Sequence, residues 1–242
     1  MTNTKSDYRR SHSEAGKGRE YQANFRLYKW RAHLWSREQE VLKDIVGHHF
    51  GDRPVRHLDF ACGTGRVLKL LGPHVSSSTG VDVSESMLEV CRAECPESRV
   101  LLGDVTQHDL FEPGSFDLIT AFRFFPNAQD ELRRIAITRL ANLLAPGGIL
   151  VFNNHKHSGS ITFKILGLVG RSRRVMSFGE VERLVRAANL RIVSTHSMGC
   201  LPAEERLMLF PASVHDAADR VAGSLGLARH LGQNQIYVCC KQ

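Results

Sequence analysis

The sequence predicts an α/β domain built on a largely parallel sheet. Three observations predict it. From Val55 onward, short apolar runs alternate with amphipathic stretches, the pattern of βαβ units. A glycine turn, Ala61-Cys62-Gly63-Thr64-Gly65, links the first apolar run to the first amphipathic stretch. The chain has 242 residues, 42% hydrophobic and 24% charged, enough apolar material for a sizeable core.

The elements follow in order. Residues 1–20 are rich in Ser, Gly, Lys and Arg and read as a flexible N-terminal arm. Residues 21–50 read as helical, because Leu27, Trp30, Leu34, Val41, Leu42, Ile45 and Val46 recur at three- and four-residue steps. Gly47 and Gly51 end that element. VRHLDF (55–60) is a buried strand, and RVLKLL after the glycine turn is a short helix. STGVDV (78–83) is a second strand, followed by Ser84 as N-cap of the helix ESMLEVCRAEC. Strands follow at 99–102 and 116–121. Asn127 caps a long helix whose apolar positions include Leu132, Ala136 and Leu140, and Pro146-Gly147-Gly148 stops it. GILVFNN (148–154), RIVSTHS and QIYVCC supply three more strands, with a helix at 178–189 between the first two. Residues 200–231 form an insertion before the last strand, with a helix in SVHDAADRVAGSLG. Everything from 21 to 242 reads as one domain.

Composition excludes several classes. Disordered, collagen-like and coiled-coil chains do not have this makeup, and no apolar run reaches the roughly 20 residues of a membrane span. The polar start MTNTKSDYRR lacks the apolar stretch of a signal peptide, so the expected location is cytoplasmic. Lys plus Arg is 32 against 25 Asp plus Glu, a net charge of +7. That excess fits nucleic acid, anionic lipid or an acidic small molecule equally. Cys62, Cys91, Cys95, Cys200, Cys239 and Cys240 form no CxxC pair, so reduced thiols are expected and a zinc ribbon is not.

The chemistry starts at Asp59-Phe60-Ala61-Cys62-Gly63-Thr64-Gly65, between strand and helix. Glycines there let backbone approach a ligand closely and present donors near a helix N-terminus. Alone, the motif equally fits a tight turn. Three further features arrive in the right order. Asp82 ends the second strand, where a carboxylate can accept two ribose hydroxyls. Asp104 follows the third, where a carboxylate can accept from an exocyclic amine. Pro146-Gly147-Gly148 precedes the fifth.

Together, LDFACGTG, GVDVSESML, LLGDV, FDLITAF and LAPGGILVF resemble the core of class I S-adenosylmethionine-dependent methyltransferases. The resemblance implies a Rossmann-like, seven-stranded, mostly parallel sheet with helices on both faces and an antiparallel last strand. It implies S-adenosylmethionine as cofactor and methyl transfer as the reaction. By the same resemblance, Ala61, Gly63 and Gly65 make room for the amino-acid half of the cofactor, and Asp59 reaches its amino group. Asp82 holds the ribose, Val83 and Met87 cover the adenine, and Asp104 with the backbone of Val105 reads the adenine amine. Ala121 meets the methionyl part.

A nicotinamide dinucleotide fits less well. Its fingerprint needs a third glycine, and the corresponding position is Leu68 or Arg66 according to register. Asp59 would repel a pyrophosphate and suits a cationic sulfonium.

Acceptor residues are expected in the loops after the fourth and fifth strands. His155 is the first candidate general base and His157 the second, with Asn153 or Asn154 as orienters; the alternative is a solvated loop. His155 and His157 lack a third partner for a metal, so none is expected. Arg123 meets an acidic group of the acceptor or lies at the surface. Residues 151–175 carry Lys156, Lys164, Arg171, Arg173 and Arg174 and no acid, reading as a flap for an anionic or amphipathic acceptor or as a partly buried helix with a basic end. Tyr21 and Tyr28 are candidate lid residues, and Phe25 reads as packing. The expected function is methyl transfer to an O or N atom of a small molecule. RNA or protein methylation is the alternative, although the Asn/Asp-Pro-Pro-aromatic signature of amino-directed nucleic-acid enzymes is absent after strand four. A non-catalytic cofactor-binding domain is a third reading.

Overall fold

The computed structural model describes residues 17–155, 158, 160–161, 176–204 and 207–242. Helix α1 (Lys17–Leu27) begins inside the segment read as an arm, and α2 (Lys29–Phe50) follows directly. Next come β1 (Arg56–Phe60), α3 (Arg66–Leu71), β2 (Ser77–Asp82), α4 (Glu85–Glu94), β3 (Arg99–Leu102), β4 (Phe116–Ala121), α5 (Asp130–Leu143) and β5 (Leu144–His155). The chain continues through α6 (Phe178–Ala187), β6 (Leu190–Met198), a small hairpin of β7 (Ala203–Glu204) and β8 (Leu207–Met208), α7 (Ala212–Ser224), α8 (Ala228–Leu231) and β9 (Asn234–Lys241).

The main sheet has seven strands in the order β3-β2-β1-β4-β5-β9-β6. The first five are parallel, and β9 runs antiparallel to both β5 and β6. This is the fold the sequence predicts. Strand alternation divides the core between two faces. Leu58, Phe60, Ile119, Leu150 and Phe152 pack with Leu132, Ala136 and Leu140 of α5 and Val181 and Val185 of α6. Leu118, Ile149, Val151 and Ile236 pack on the opposite face with Trp30, Leu34, Leu42 and Ile45 of α2 and Val67 and Leu71 of α3. Each such side chain, fully buried, contributes roughly 1.5–3 kcal/mol.

Several boundaries differ from the sequence reading, each for a local reason. Gly47 lies within α2, and Gly51 alone ends it at φ +57°, its N–H bonding to the Gly47 carbonyl. Ser84 does cap α4, its Oγ accepting from the Met87 N–H at 3.3 Å. Asn127 does not cap α5, which starts later; its amide donates instead to the Arg123 carbonyl. Pro146-Gly147-Gly148 lies inside β5, after α5 has ended at Leu143. The Ser177 and Glu180 capping box sets the start of α6. Within the insertion, the Asp219 carboxylate accepts from the Gly199 and Cys200 N–H groups at 2.9 and 2.8 Å, tying α7 to the end of β6.

Candidate functional site

Neighbouring connections leave β1 and β4 in opposite directions along the sheet, because strand order reverses there. Such a switch point opens a crevice at the carboxyl ends of the strands. Here it is a cavity of ≈ 220 Å³, with residues of β1, β2 and β5, the loops after β1 to β4, and α1 to α5 in its wall.

One side of the cavity is acidic and glycine-lined. Gly63 sits at φ +55°, and a side chain there would meet nothing within 4 Å, so the turn presents bare backbone to open space. The Gly63 N–H donates to Asp82 Oδ2 at 2.9 Å, and the Ser84 N–H donates to Oδ1 at 2.9 Å. A carboxylate offers about four acceptor positions, and these two bonds orient it beside the turn. Asp104 is held similarly, its Oδ1 accepting from the Thr106 N–H at 2.8 Å and the Thr106 hydroxyl at 2.5 Å.

Asp59 is almost wholly buried and lies beside Thr120 in the β1–β4 register. The Thr120 hydroxyl donates to Asp59 Oδ1 at 2.7 Å, so it must accept from His57 Nε2, 2.8 Å away. Ser78, the register partner of His57 in β2, closes the chain at 3.5 Å from His57 Nδ1. Burial drives the His57 imidazole down to about 3, keeping it neutral. Burial also pushes the Asp59 carboxyl up to about 7, against the lowering effect of the Thr120 hydrogen bond.

The other side is basic. Arg31, Arg66, Arg123, Tyr21 and His155 all reach the cavity. Arg66 leads α3 straight from the glycine turn, with its guanidinium 4.9 Å from the Trp35 ring centroid and 3.5 Å from the Tyr21 hydroxyl. Arg123 has φ +66°, an unusual backbone for a residue with a side chain. Asn153 Oδ1 accepts from its N–H at 2.7 Å, and Asn127 binds its carbonyl. Its guanidinium lies 3.9 Å from Glu38 Oε2. Glu38, buried in α2, also accepts at Oε1 from Asn153 and Asn234, both at 2.8 Å. Burial alone would raise the Tyr21 phenol, but Arg66, Arg123 and Arg31 bring it below its ordinary value.

The structure thus gathers Asp59, Ala61, Gly63, Asp82, Val83, Met87, Asp104, Arg123 and His155 around one cavity. Gly65, Val105, Ala121, Asn153 and Asn154 do not line it. Gly65 turns toward Cys91 and Cys95 at φ +80°, and Val105 and Ala121 are buried in the core. Asn153 and Asn154 were expected in a loop, but β5 runs on to His155 and pairs them with Ile236 and Gln235 of β9. Both are wholly buried: Asn153 braces Arg123, and Asn154 donates to the Met176 carbonyl at 2.8 Å. Tyr21 lines the cavity, whereas Tyr28 stands at the α1–α2 junction, 5.2 Å from the Arg31 guanidinium. The Phe25 side chain, His157, Lys156, Lys164, Arg171, Arg173 and Arg174 lie outside the described residues. All six cysteines are free thiols. Among the described residues no group of His, Cys, Asp and Glu is arranged to hold a metal, and no helix is long and apolar enough to cross a membrane.

Sequence reasoning missed Glu38, Thr64, Arg31 and Arg66. Glu38 was signalled by an acid midway between Leu34 and Leu42 on an apolar helical stripe. Arg66 was signalled only by its place after the glycine turn. Thr64 Oγ1 is buried on the cavity wall with no hydrogen-bond partner among the described residues, an expensive arrangement unless a ligand supplies one. Together with the open Gly63 backbone and the three carboxylates, it fits a cationic, hydroxyl-bearing ligand such as S-adenosylmethionine.

Comparison with known proteins agrees. Residues 58–152 match a family model described as a methyltransferase domain. Over 97 residues the chain is 37% identical to dTDP-4-amino-2,3,4,6-tetradeoxy-D-glucose N,N-dimethyltransferase from Saccharopolyspora spinosa, covering 39% of this chain and 38% of that one. The chain spans about half or less of the length of the first curated relatives it matches. Its fold resembles the S-adenosylhomocysteine-bound magnesium protoporphyrin IX methyltransferase of Synechocystis PCC 6803, at TM-score 0.61, 12% identity and 93% coverage of both chains. It also resembles the cyclase SpnF, at TM-score 0.54, 19% identity and coverage of 83% and 80%, so the fold does not by itself dictate methyl transfer. Residues 58–152 thus match a methyltransferase domain, and the described chain around them has the fold of the S-adenosylhomocysteine-bound methyltransferase it resembles.

Proposed function

We propose that the protein transfers a methyl group from S-adenosylmethionine to an oxygen or nitrogen atom of a small molecule. The observation that carries this reading is the pairing, in one cavity, of an open glycine turn with Asp59, Asp82 and Asp104. A polyanionic wall beside bare backbone suits a ligand bearing a sulfonium, an ammonium and a ribose. The matched relative's name describes dimethylation of a nucleotide-linked amino sugar, which supports a small-molecule acceptor.

S-adenosylmethionine brings an electrophilic methyl group, so the protein's task is mainly alignment. In this reading Asp82 takes the ribose hydroxyls, Asp104 the adenine amine, and Asp59 with Thr64 the amino-acid end. Gly63 allows close approach, while Ala61, Val83 and Met87 shape the walls. Gly65, Val105 and Ala121 support that wall from behind. In the same reading His155, which ends β5 on the cavity wall, takes a proton from a hydroxyl or protonated amine. Asn153 positions Arg123 rather than the acceptor itself.

Calorimetry tests the reading. Wild type should bind S-adenosylmethionine, and Asp82→Ala should lose about 10²-fold in affinity, the worth of charge-assisted hydrogen bonds to two hydroxyls. Binding of NADH in place of S-adenosylmethionine would sink it. Methyl transfer to RNA or a protein but to no member of a metabolite panel would replace the small-molecule acceptor. Tight cofactor binding with no transfer to any of them would leave a binding domain.

A further inference from the structure

Four polar side chains cross the middle of the sheet. His57 and Asp59 lie on β1, Thr120 on β4 and Ser78 on β2. His57 and Asp59 are two residues apart and share a face of β1. Register sets Thr120 beside Asp59 and Ser78 beside His57. His57, Asp59 and Thr120 are all but wholly buried. Of the four, Asp59 lines the cavity, and the other three lie behind its wall.

The direction of every bond in this chain follows from its cavity end. A carboxylate only accepts, so the single Thr120 hydroxyl proton goes to Asp59 Oδ1, 2.7 Å away. His57 Nε2, 2.8 Å from the same hydroxyl, must then carry a proton. A neutral imidazole has one N–H, so Nδ1 is left to accept from the Ser78 hydroxyl at 3.5 Å. Thr120 cannot turn its proton away from Asp59 without facing the His57 N–H. Oδ1 is thereby committed to the protein, and Oδ2 is the oxygen left to the cavity.

Burial makes Asp59 a carboxyl that holds its proton up to about pH 7. Thr120 and Arg66 of α3 favour the ionised form, and Asp82 of β2 opposes it. The thiols of Cys62, Cys91 and Cys95 also feel its charge. With Oδ1 accepting from Thr120, the proton of the neutral acid sits on Oδ2. A cation arriving at the wall tips the balance toward the carboxylate.

We propose that Thr120 and His57 are positioning residues for cofactor capture: their chain fixes Asp59 so that Oδ2 gives up its proton to solvent and takes the cofactor's ammonium group in exchange. The step balances, because a carboxylic acid and an ammonium group become an ion pair and one released proton. The proposal rests on the methyltransferase reading above and adds the groups that prepare Asp59 for the amino-acid end.

The test uses the full chain with S-adenosylhomocysteine, which carries the ammonium group, and methylthioadenosine, which lacks the amino-acid end. Calorimetry in buffers of different ionisation enthalpy counts the protons. S-adenosylhomocysteine should release about 0.9 proton near pH 6 and about 0.1 near pH 8, and should bind about tenfold more weakly at the lower pH. Methylthioadenosine should release none and bind equally at both. Thr120→Val removes the donor and should raise the midpoint of that profile by about one unit. Its loss of S-adenosylhomocysteine affinity is then about tenfold near pH 6 and about twofold near pH 8. Thr120→Ser keeps the hydroxyl and should stay within about twofold of wild type at both. A side chain that only supported the fold would weaken binding equally at the two. Nitrogen NMR of wild type needs no variant: His57 should hold its proton on Nε2 throughout about pH 5–9. A proton on Nδ1, no proton release with S-adenosylhomocysteine, equal release with methylthioadenosine, or a Thr120→Val loss that is flat with pH overturns the proposal. Failure of wild type to bind S-adenosylhomocysteine at all is a different result, and it overturns the methyltransferase reading itself.

Discussion

Asp59→Asn preserves the shape of a buried side chain and removes its charge. The Asp59 carboxyl titrates at about 7 in the folded chain against an ordinary 3.8, because burial outweighs the Thr120 hydrogen bond. The folded protein therefore binds this proton more tightly than the unfolded chain. The resulting stability is complete below about pH 4, declines as pH rises, and is exhausted above about pH 7. At about 1.4 kcal/mol per unit, a displacement of about three units amounts to roughly 4 kcal/mol. Asparagine has no such titration and still accepts from Thr120. The stability of the variant relative to wild type should therefore rise by roughly 4 kcal/mol between about pH 4 and pH 8, or about 8–16 °C in Tm for a chain of this size. Urea denaturation across that range measures it. Cofactor affinity should move the opposite way. At about pH 8 the variant should bind S-adenosylmethionine about tenfold more weakly, since an ionised carboxylate is lost beside a cation, and near pH 6 the gap should narrow. A stability difference that is flat with pH would refute the reasoning, because Asp59 would then titrate as an ordinary exposed carboxyl.

Gly65→Ala places a β-carbon 2.7 Å from Cys91 Sγ and 2.9 Å from Cys95 Sγ, at φ +80°. It should cost about 1–3 kcal/mol in chemical denaturation, and a wild-type midpoint would show that α4 yields freely. Glu38→Ala removes the shared acceptor of Asn153 and Asn234 and the partner of Arg123. It should destabilise by about 3–5 kcal/mol, with Glu38→Gln milder because its carbonyl can still accept, and equal losses in the two variants would contradict that account. His155→Ala should slow methyl transfer by about 10²–10⁴-fold to any acceptor that wild type methylates, and should remove the acidic limb of the pH–rate profile. An unaltered profile takes His155 out of the proton transfer.

The sequence by itself determined the repeating layers and the carboxylate-and-glycine side of the cavity. Both are written locally. Apolar runs of period two and stripes of period near 3.6 mark the strands and helices, and Asp82, Asp104 and the glycine turn each fall a few residues from a strand end. Boundaries were legible where a side chain caps its own helix, as at Ser84, and illegible where a partner strand decides. Pairing with β9 carried β5 through Asn153 and Asn154 to His155, turning an expected loop into buried sheet. The sequence named Arg123, Asn153 and His155 for the basic side, but only the tertiary structure decided how they meet Glu38, Arg31 and Arg66. Glu38, Arg31, Arg66, Arg123 and Asn153 come from a helix, a turn and two strand ends far apart in the chain, and Glu38 meets Asn234 across 196 positions. The stripe of α2 marks Glu38 as buried, but which charges it meets leaves no periodic trace, because their interaction depends on proximity and on exclusion of water, both of which arise only when α2 packs on the sheet.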